Sequence, residues 1–81
     1  MNDNAINLNE TLHRQHGPML TPEILAAILH KPSADAFLQW LKKGRDSDAA
    51  AMRKVKRKLG RRVYFFTADI AAILAGEEVT E

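Results

Sequence analysis

The stretch RKVKRKLGRRVYFFTADIAAIL, residues 53 to 74, joins a dense basic run to a short aromatic segment and an apolar one. Within RRVYFF, Val63 and Phe65 alternate with Tyr64 and Phe66. Alternating β-branched and aromatic side chains predict a strand with two different faces. A glycine flanked by long basic side chains precedes this strand and indicates a change of chain direction. The stretch therefore predicts a basic hairpin with an apolar base.

Two short helices separated by a tight turn are predicted before this stretch. In LTPEILAAILHK, Thr21 is a good N-cap, Pro22 fits the first helical position, and the apolar residues recur at helical spacing. Pro32 disfavours helical geometry in the residue before it and so ends this helix. Ser33 caps the second helix, SADAFLQWLKKG, and Gly44 follows it as a stop. The pair predicts a helix-turn-helix.

The segment that leads into the basic hairpin has two interpretations. Its alanines, with Met52, Val55 and Leu59 at helical spacing, favour a third helix over residues 48 to 55. The rival interpretation takes residues 54 to 58 as the first strand of the hairpin. The sequence leaves the choice beyond residue 55 open.

The two ends of the chain are expected to lie outside the folded domain. Residues 1 to 18 are rich in Asn and end in a Gly-Pro break, which favours a flexible tail over the alternative of a loose helical turn or two from Leu8 to His16, where Leu8 and Leu12 are four residues apart. A final helix, TADIAAILAG, takes Thr67 as its cap and ends at Gly76, and residues 77 to 81 are expected to fray. One domain over residues 19 to 76 is predicted, mainly α with a small β-hairpin.

The charge of the chain is strongly polarised. Residues 42 to 62 hold ten of the twelve basic residues and only two acids, a net charge of +8. The remaining residues hold two basic and eight acidic side chains, a net charge of −6. Such a basic block repels itself unless a polyanion or an acidic partner neutralises it. The block therefore indicates nucleic acid as a partner, with a solvated basic face as the plain alternative.

Several classes of function are disfavoured. With no cysteine, disulfides and Cys-based zinc sites are excluded, and a reducing cytoplasm is the expected compartment. No apolar run is long enough for a membrane span, and no signal-peptide layout is visible. His13 and His16 lack a carboxylate at ligand spacing, and the glycines do not form a phosphate loop. We expect no enzyme activity, cofactor, metal or small-molecule substrate.

Binding to double-stranded DNA is the chemistry that the residues favour. A helix-turn-helix lays its second helix in the major groove, where the outward Gln39 would pair with adenine and Asp35 would accept from cytosine. Basic side chains at the end of this helix and on the hairpin would bind phosphates. The residues expected at the DNA surface are Ser33, Gln39, Lys42, Lys43, Arg45, Arg53, Lys54, Lys56, Arg57, Lys58, Arg61 and Arg62.

The order of these segments resembles that of the excisionase-like and MerR-like winged-helix proteins, including small proteins of plasmids and integrative elements. The likeness covers residues 19 to 76, and its most specific part is GRRVYF leading into TADI. The resemblance implies a second helix in the major groove and a wing on the minor groove. It implies a role as a recombination directionality factor or a small transcriptional regulator. A recombinase or a second copy of the chain would be a further partner.

Three departures from the family pattern affect this expectation. Ala34 and Asp35 stand where the family commonly offers Arg or Lys, the link to the wing is longer and more helical, and Phe66 replaces a polar or basic residue. The alternative function is a protein-interaction module whose basic face docks an acidic partner. RNA binding is a third candidate, less favoured because no aromatic clearly interleaves the basic run. The target site and the oligomeric state stay open.

Overall fold

A computed structural model describes residues 3–76. This part of the chain is mainly helical and carries a small three-stranded antiparallel sheet. The elements are α1 (Asp3–His16), β1 (Met19–Leu20), α2 (Pro22–Ile28), α3 (Ala34–Lys43), α4 (Ser47–Val55), β2 (Arg57–Leu59), β3 (Arg62–Phe66) and α5 (Thr67–Leu74). The predicted mainly α composition with a small hairpin is confirmed. The expected fraying of residues 77 to 81 lies outside the described residues.

The prediction of a flexible tail over residues 1 to 18 is wrong for most of that segment, because α1 is a helix of 14 residues. Ala5 and Leu12 are buried, Leu8 packs at the edge of the core, and the helix makes its most extensive contacts with α5. Asp3 in the first turn and basic side chains in the last complement the helix dipole. The folded unit therefore begins well before residue 19.

The two predicted helices of the helix-turn-helix are confirmed, and α2 ends in a Schellman motif. His30 has a left-handed φ of 58°. Its N–H donates to Ala27 O at 3.3 Å, and the N–H of Lys31 donates to Ala26 O at 2.8 Å. Ser33 then caps α3 by accepting from the N–H of Ala36 at 3.1 Å. The chain thus reverses between α2 and α3 without leaving either helix end open.

Both interpretations of the segment after α3 hold in part, because α4 ends at Val55 and β2 begins at Arg57. Asp46 caps α4, and the same carboxylate accepts from the indole N–H of Trp40 at 3.2 Å. Met52 and Val55 are buried as the helical spacing predicts. Leu59 is not on that face: it lies in β2 and is exposed.

The sheet places β3 between β1 and β2. Leu59 pairs with Arg62 at the end of the β2–β3 hairpin, so only Gly60 and Arg61 form the turn. Gly60 has a φ of 61°, which suits the first central position of a type II′ turn. Phe65 is fully buried on the central strand and meets Phe37 of α3 edge-on at 5.9 Å between ring centroids. The core therefore holds the base of the hairpin against α3.

The prediction of Thr67 as the cap of the last helix is wrong. Phe66 occupies the N-cap position without a side-chain hydrogen bond, and Thr67 is fully buried at the start of α5. Its hydroxyl donates to Gly17 O at 2.7 Å, and its N–H donates to Pro18 O at 2.9 Å. Thr67 therefore ties the start of α5 to the link between α1 and β1.

Candidate functional site

The ten cations of residues 42 to 62 all lie on the surface. They occupy the end of α3, α4, the segments on either side of α4, and the hairpin. We call them the basic surface: Lys42, Lys43, Arg45, Arg53, Lys54, Lys56, Arg57, Lys58, Arg61 and Arg62. Cations at the last turn of α3 and of α4 also suit the negative end of each helix dipole. The fold thus keeps all ten of these side chains at the surface.

The pairing of the hairpin divides its cations between two faces. Directly opposed residues of antiparallel strands share a face, and neighbours along a strand alternate. Lys58 pairs with Val63, so it lies on the inner face, which also carries the buried Phe65. Arg57 pairs with Tyr64 and lies on the outer face. Arg57 and Lys58, which are adjacent in the sequence, therefore lie on opposite faces of the sheet.

Two open clefts lie between the hairpin and the helices α2 and α3. The larger, of about 480 Å³, lies between the hairpin tip and the N-termini of α2 and α3. It brings Arg61 and Arg62 to the same cleft as the acids Glu23 and Asp35. We call it the tip cleft. Its charges are mixed, so α3 presents acid at the end where a recognition helix usually contacts bases.

The smaller cleft, of about 350 Å³, lies nearer the base of the hairpin, and we call it the base cleft. Among residues 3–76, its apolar lining comes from Leu38, Leu41 and Val63, and its charged lining comes from three cations. Those cations are Lys42, Arg53 and Lys56. The base cleft lies between the last turn of α3, the end of α4 and the central strand β3. It is the part of the basic surface where positive charge converges.

The predicted reading residues on α3 have different environments. Gln39 is exposed and lines neither cleft, whereas Asp35 is exposed at the tip cleft. The Ser33 hydroxyl oxygen accepts the capping hydrogen bond of α3, which leaves its proton free to donate. Leu38 is half-buried and lines both clefts. The predicted set is therefore spread along α3 rather than gathered at one point.

Two of the predicted phosphate-binding arginines already have partners. The Arg53 Nη1 donates to Leu41 O at 2.7 Å and to Gly44 O at 2.8 Å, so it closes the C-terminus of α3. The Arg57 guanidinium lies 5.5 Å from the centre of the Phe66 ring, in cation–π range. These contacts assign Arg53 a structural role and give Arg57 a position on the outer face.

The outer face of the sheet contains residues that were not predicted as functional. Met19 pairs with Phe66, and Tyr64 lies two residues before Phe66 on the same face. The sequence left the exposure of Phe66 open, with burial against the last helix as the common outcome, and the structure exposes it. The alternation in RRVYFF did place Tyr64 and Phe66 together. Only the pairing with β1 and β2 shows what surrounds them.

His13 and His16 are exposed in the last turn of α1. Within residues 3–76, no group of three or more His, Cys, Asp or Glu side chains lies close enough together to hold a metal ion. Among the same residues, no helix combines the length and apolar character that a membrane span requires. Comparisons of the chain with protein-family models, with curated proteins and with solved structures found no match.

Proposed function

We propose that this chain is a non-enzymatic, winged-helix DNA-binding domain that holds duplex DNA with α3 and the β2–β3 hairpin. The observation that carries the proposal is the convergence of Lys42, at the end of α3, and Lys56, directly after α4, at the base cleft, beside a hairpin with an exposed basic tip. Long basic side chains on a rigid support bind phosphates without needing a deep pocket. The order α2, α3, hairpin also supplies a helix and a wing for adjacent grooves.

The charge distribution favours binding through the C-terminal half of α3. Asp35 and Glu23 lie at the tip cleft, where a phosphate strand would be repelled unless Arg61 and Arg62 offset them. Lys42 lies two helical turns further along α3, in the base cleft, where the charged lining residues of the described part of the chain are all cations. Phosphate binding therefore supplies most of the affinity in this proposal, and base reading by Gln39 supplies little.

The biological role follows from the same proposal. A small domain that binds duplex mainly through phosphates suits an accessory factor that shapes DNA beside a recombinase, as an excisionase-like protein does, or a small transcriptional regulator. Both roles place it in the cytoplasm and require no cofactor. A regulator must prefer its own site over random duplex by about 10³ or more. An accessory factor needs only enough preference to position its partner.

The test is fluorescence anisotropy of the chain with a labelled random duplex of about 25 base pairs, titrated at several salt concentrations. If about five cations contact phosphates, log K falls against log salt with a slope of about −4 to −5. Replacing Arg61 and Arg62 by alanine removes two such contacts and reduces the slope by about 1.8. The matched control is Arg14→Ala, an exposed arginine of α1 outside the basic surface.

Two results contradict the proposal. One is the absence of duplex binding even at low salt. The other is an equal loss of affinity in Arg14→Ala and in Arg61→Ala, because net charge alone would then explain binding.

A second candidate function is a module that docks an acidic protein. The observation that favours it is the apolar lining of the base cleft beneath three cations, which suits an apolar side chain flanked by carboxylates. Leu38→Ser would weaken such docking by removing apolar contact area without changing the charge of the cleft. A duplex that contacts only phosphates would lose less affinity, so the same variant separates the two candidates.

A further inference from the structure

The outer face of the sheet is a second surface with its own chemistry. It comprises Met19 of β1, Arg57 and Leu59 of β2, and Arg62, Tyr64 and Phe66 of β3, as the register requires. The opposite face carries Leu20 and Phe65, which are fully buried. The outer face thus points away from the core and is formed around the central strand.

Apolar side chains on this face are open to solvent. Phe66 is 40 % exposed, Met19 is 49 % exposed and Leu59 is 72 % exposed, whereas Phe37 and Phe65 are 0 % exposed. Tyr64 meets Phe66 edge-on at 5.8 Å between ring centres, with an interplanar angle of 84°. Two rings fixed at right angles on one strand present both a ring face and a ring edge to a ligand.

The charge on this face has a single sign. Arg57 extends over the Phe66 ring, Arg62 lies at the hairpin end, and none of the six residues that the register places on this face is an acid. Guanidinium groups beside aromatic rings suit a ligand that carries both flat π surfaces and negative charge. Single-stranded nucleic acid has this combination, because its bases are free to stack and each nucleotide carries a phosphate.

We propose that the outer face binds single-stranded DNA, with bases stacked against Phe66 and Tyr64 and a phosphate at Arg57. Duplex DNA does not fit this role, since its bases are already stacked within the helix. An acidic peptide would match the charge, but it would leave the ring faces without flat partners. The choice of DNA over RNA rests on the proposed function, because the same hairpin carries the cations offered to duplex on its inner side and tip.

The two surfaces together suit a place where a duplex opens. The inner face and tip of the hairpin would bind the paired strands, and the outer face would hold a separated strand. The hairpin is short, because β2 spans only Arg57–Leu59. A duplex at its tip and a single DNA strand on its outer face would therefore lie close together. Such a junction arises whenever a DNA site is melted or exchanged.

The probe for the test is a labelled oligo-dT of about ten nucleotides, which cannot pair with itself and fits one small binding face. Phe66→Ser removes a ring and puts a preferred capping residue at the N-cap of α5, so the fold is protected. Tyr64→Thr removes the other ring and keeps a good strand former. The matched control is Leu59→Thr, which removes exposed apolar surface from the same face without removing a ring.

We expect each ring variant to weaken oligo-dT binding by about tenfold or more, as loss of one base–aromatic stack does. Leu59→Thr should bind oligo-dT like the unmodified chain, and duplex affinity should be unchanged in all three variants. Ring protons of Tyr64 and Phe66 should shift in NMR spectra when oligo-dT is added to the unmodified chain.

Several results would overturn this inference. If Phe66→Ser binds oligo-dT as tightly as the unmodified chain does, the binding depends on charge alone. If Leu59→Thr loses as much oligo-dT affinity as the ring variants, the binding depends on exposed apolar area and not on stacking. Tighter binding of oligo-rU would overturn the choice of DNA, and binding of a labelled Glu/Leu peptide in place of oligo-dT would indicate a protein partner. Loss of duplex binding with ring-dependent oligo-dT binding intact would refute the proposed function and leave this site standing.

Discussion

Arg53 is the predicted phosphate ligand whose removal should change the fold more than the binding. Its Nη1 donates to Leu41 O at 2.7 Å and to Gly44 O at 2.8 Å, and these carbonyls lie at the C-terminal end of α3. The last carbonyls of a helix have no partner within the helix and need donors from elsewhere. Arg53→Ala therefore removes a cap that links α4 to α3. Lys54→Ala is the matched control, because Lys54 carries the same charge one residue later and is also exposed.

The size of the effect follows from the two hydrogen bonds. Bonds to a charged donor contribute about 1.5–3 kcal/mol when they are shielded from water. One of these bonds is partly buried and the other is exposed, so solvent screening lowers the sum. We expect Arg53→Ala to reduce the free energy of unfolding by about 1–2 kcal/mol. In a domain of this length, each kcal/mol lowers Tm by about 4–8 °C.

Thermal unfolding followed by far-UV circular dichroism measures this difference, and Trp40 fluorescence reports on the same region because Trp40 lies on α3. Lys54→Ala should unfold within about 2 °C of the unmodified chain, as an exposed side chain does. At a temperature where both variants are folded, their duplex affinities should be similar. Equal Tm values for the two variants would refute the assignment of Arg53 as a cap of α3.

Three further predictions concern single residues. His30→Gly should raise the free energy of unfolding, measured by urea titration, by about 0.5–1 kcal/mol. A left-handed conformation costs a residue other than glycine about 1–2 kcal/mol, and the greater chain entropy of unfolded glycine offsets part of that gain. A lower free energy of unfolding would contradict the left-handed φ of His30. Thr67→Val should lower Tm by about 4–8 °C, since the buried hydroxyl that donates to Gly17 O is lost; an unchanged Tm would show that this bond contributes nothing. Lys58→Ala should reduce the duplex salt slope by about 0.9 while Arg57→Ala leaves it unchanged; the reverse order would invalidate the two-face division of the hairpin.

Local sequence signals were sufficient to predict the helices and strands that form the candidate site. Thr21 and Ser33 mark helix starts by side-chain capping, and both accept the N–H three residues later. Gly60 supplies the positive φ of a two-residue turn, and the strand alternation orders the faces of β3. Each of these features depends on residues within a few positions of one another. They could therefore be predicted from the sequence without knowledge of the rest of the fold.

Features that depend on distant residues were missed. The Asn content of α1 gives it low helix propensity, and its stability comes from burying Ala5 and Leu12 beside α5, which lies more than fifty residues away. Thr67 has the residue type of a cap, but in the fold its hydroxyl donates to the Gly17 carbonyl, which lies far away in the sequence. The acids of the tip cleft are likewise brought beside Arg61 only by the approach of the hairpin to α2 and α3. These three features depend on tertiary contacts, so no local sequence pattern predicts them.

The fold also changes what the charge run means. A single stretch with ten cations predicts one polyanion surface, and neutralisation of all ten would give a salt slope of about −9. In the structure, Arg53 binds backbone carbonyls, Arg57 lies over a ring, and Arg57 and Lys58 face opposite sides of the sheet. One duplex cannot reach every cation, which is why a slope of about −4 to −5 is expected instead. Arg57 lies outside that contact, over the exposed Phe66 ring, and the alternation that divides the cations of the hairpin between two faces leaves a second, smaller surface there.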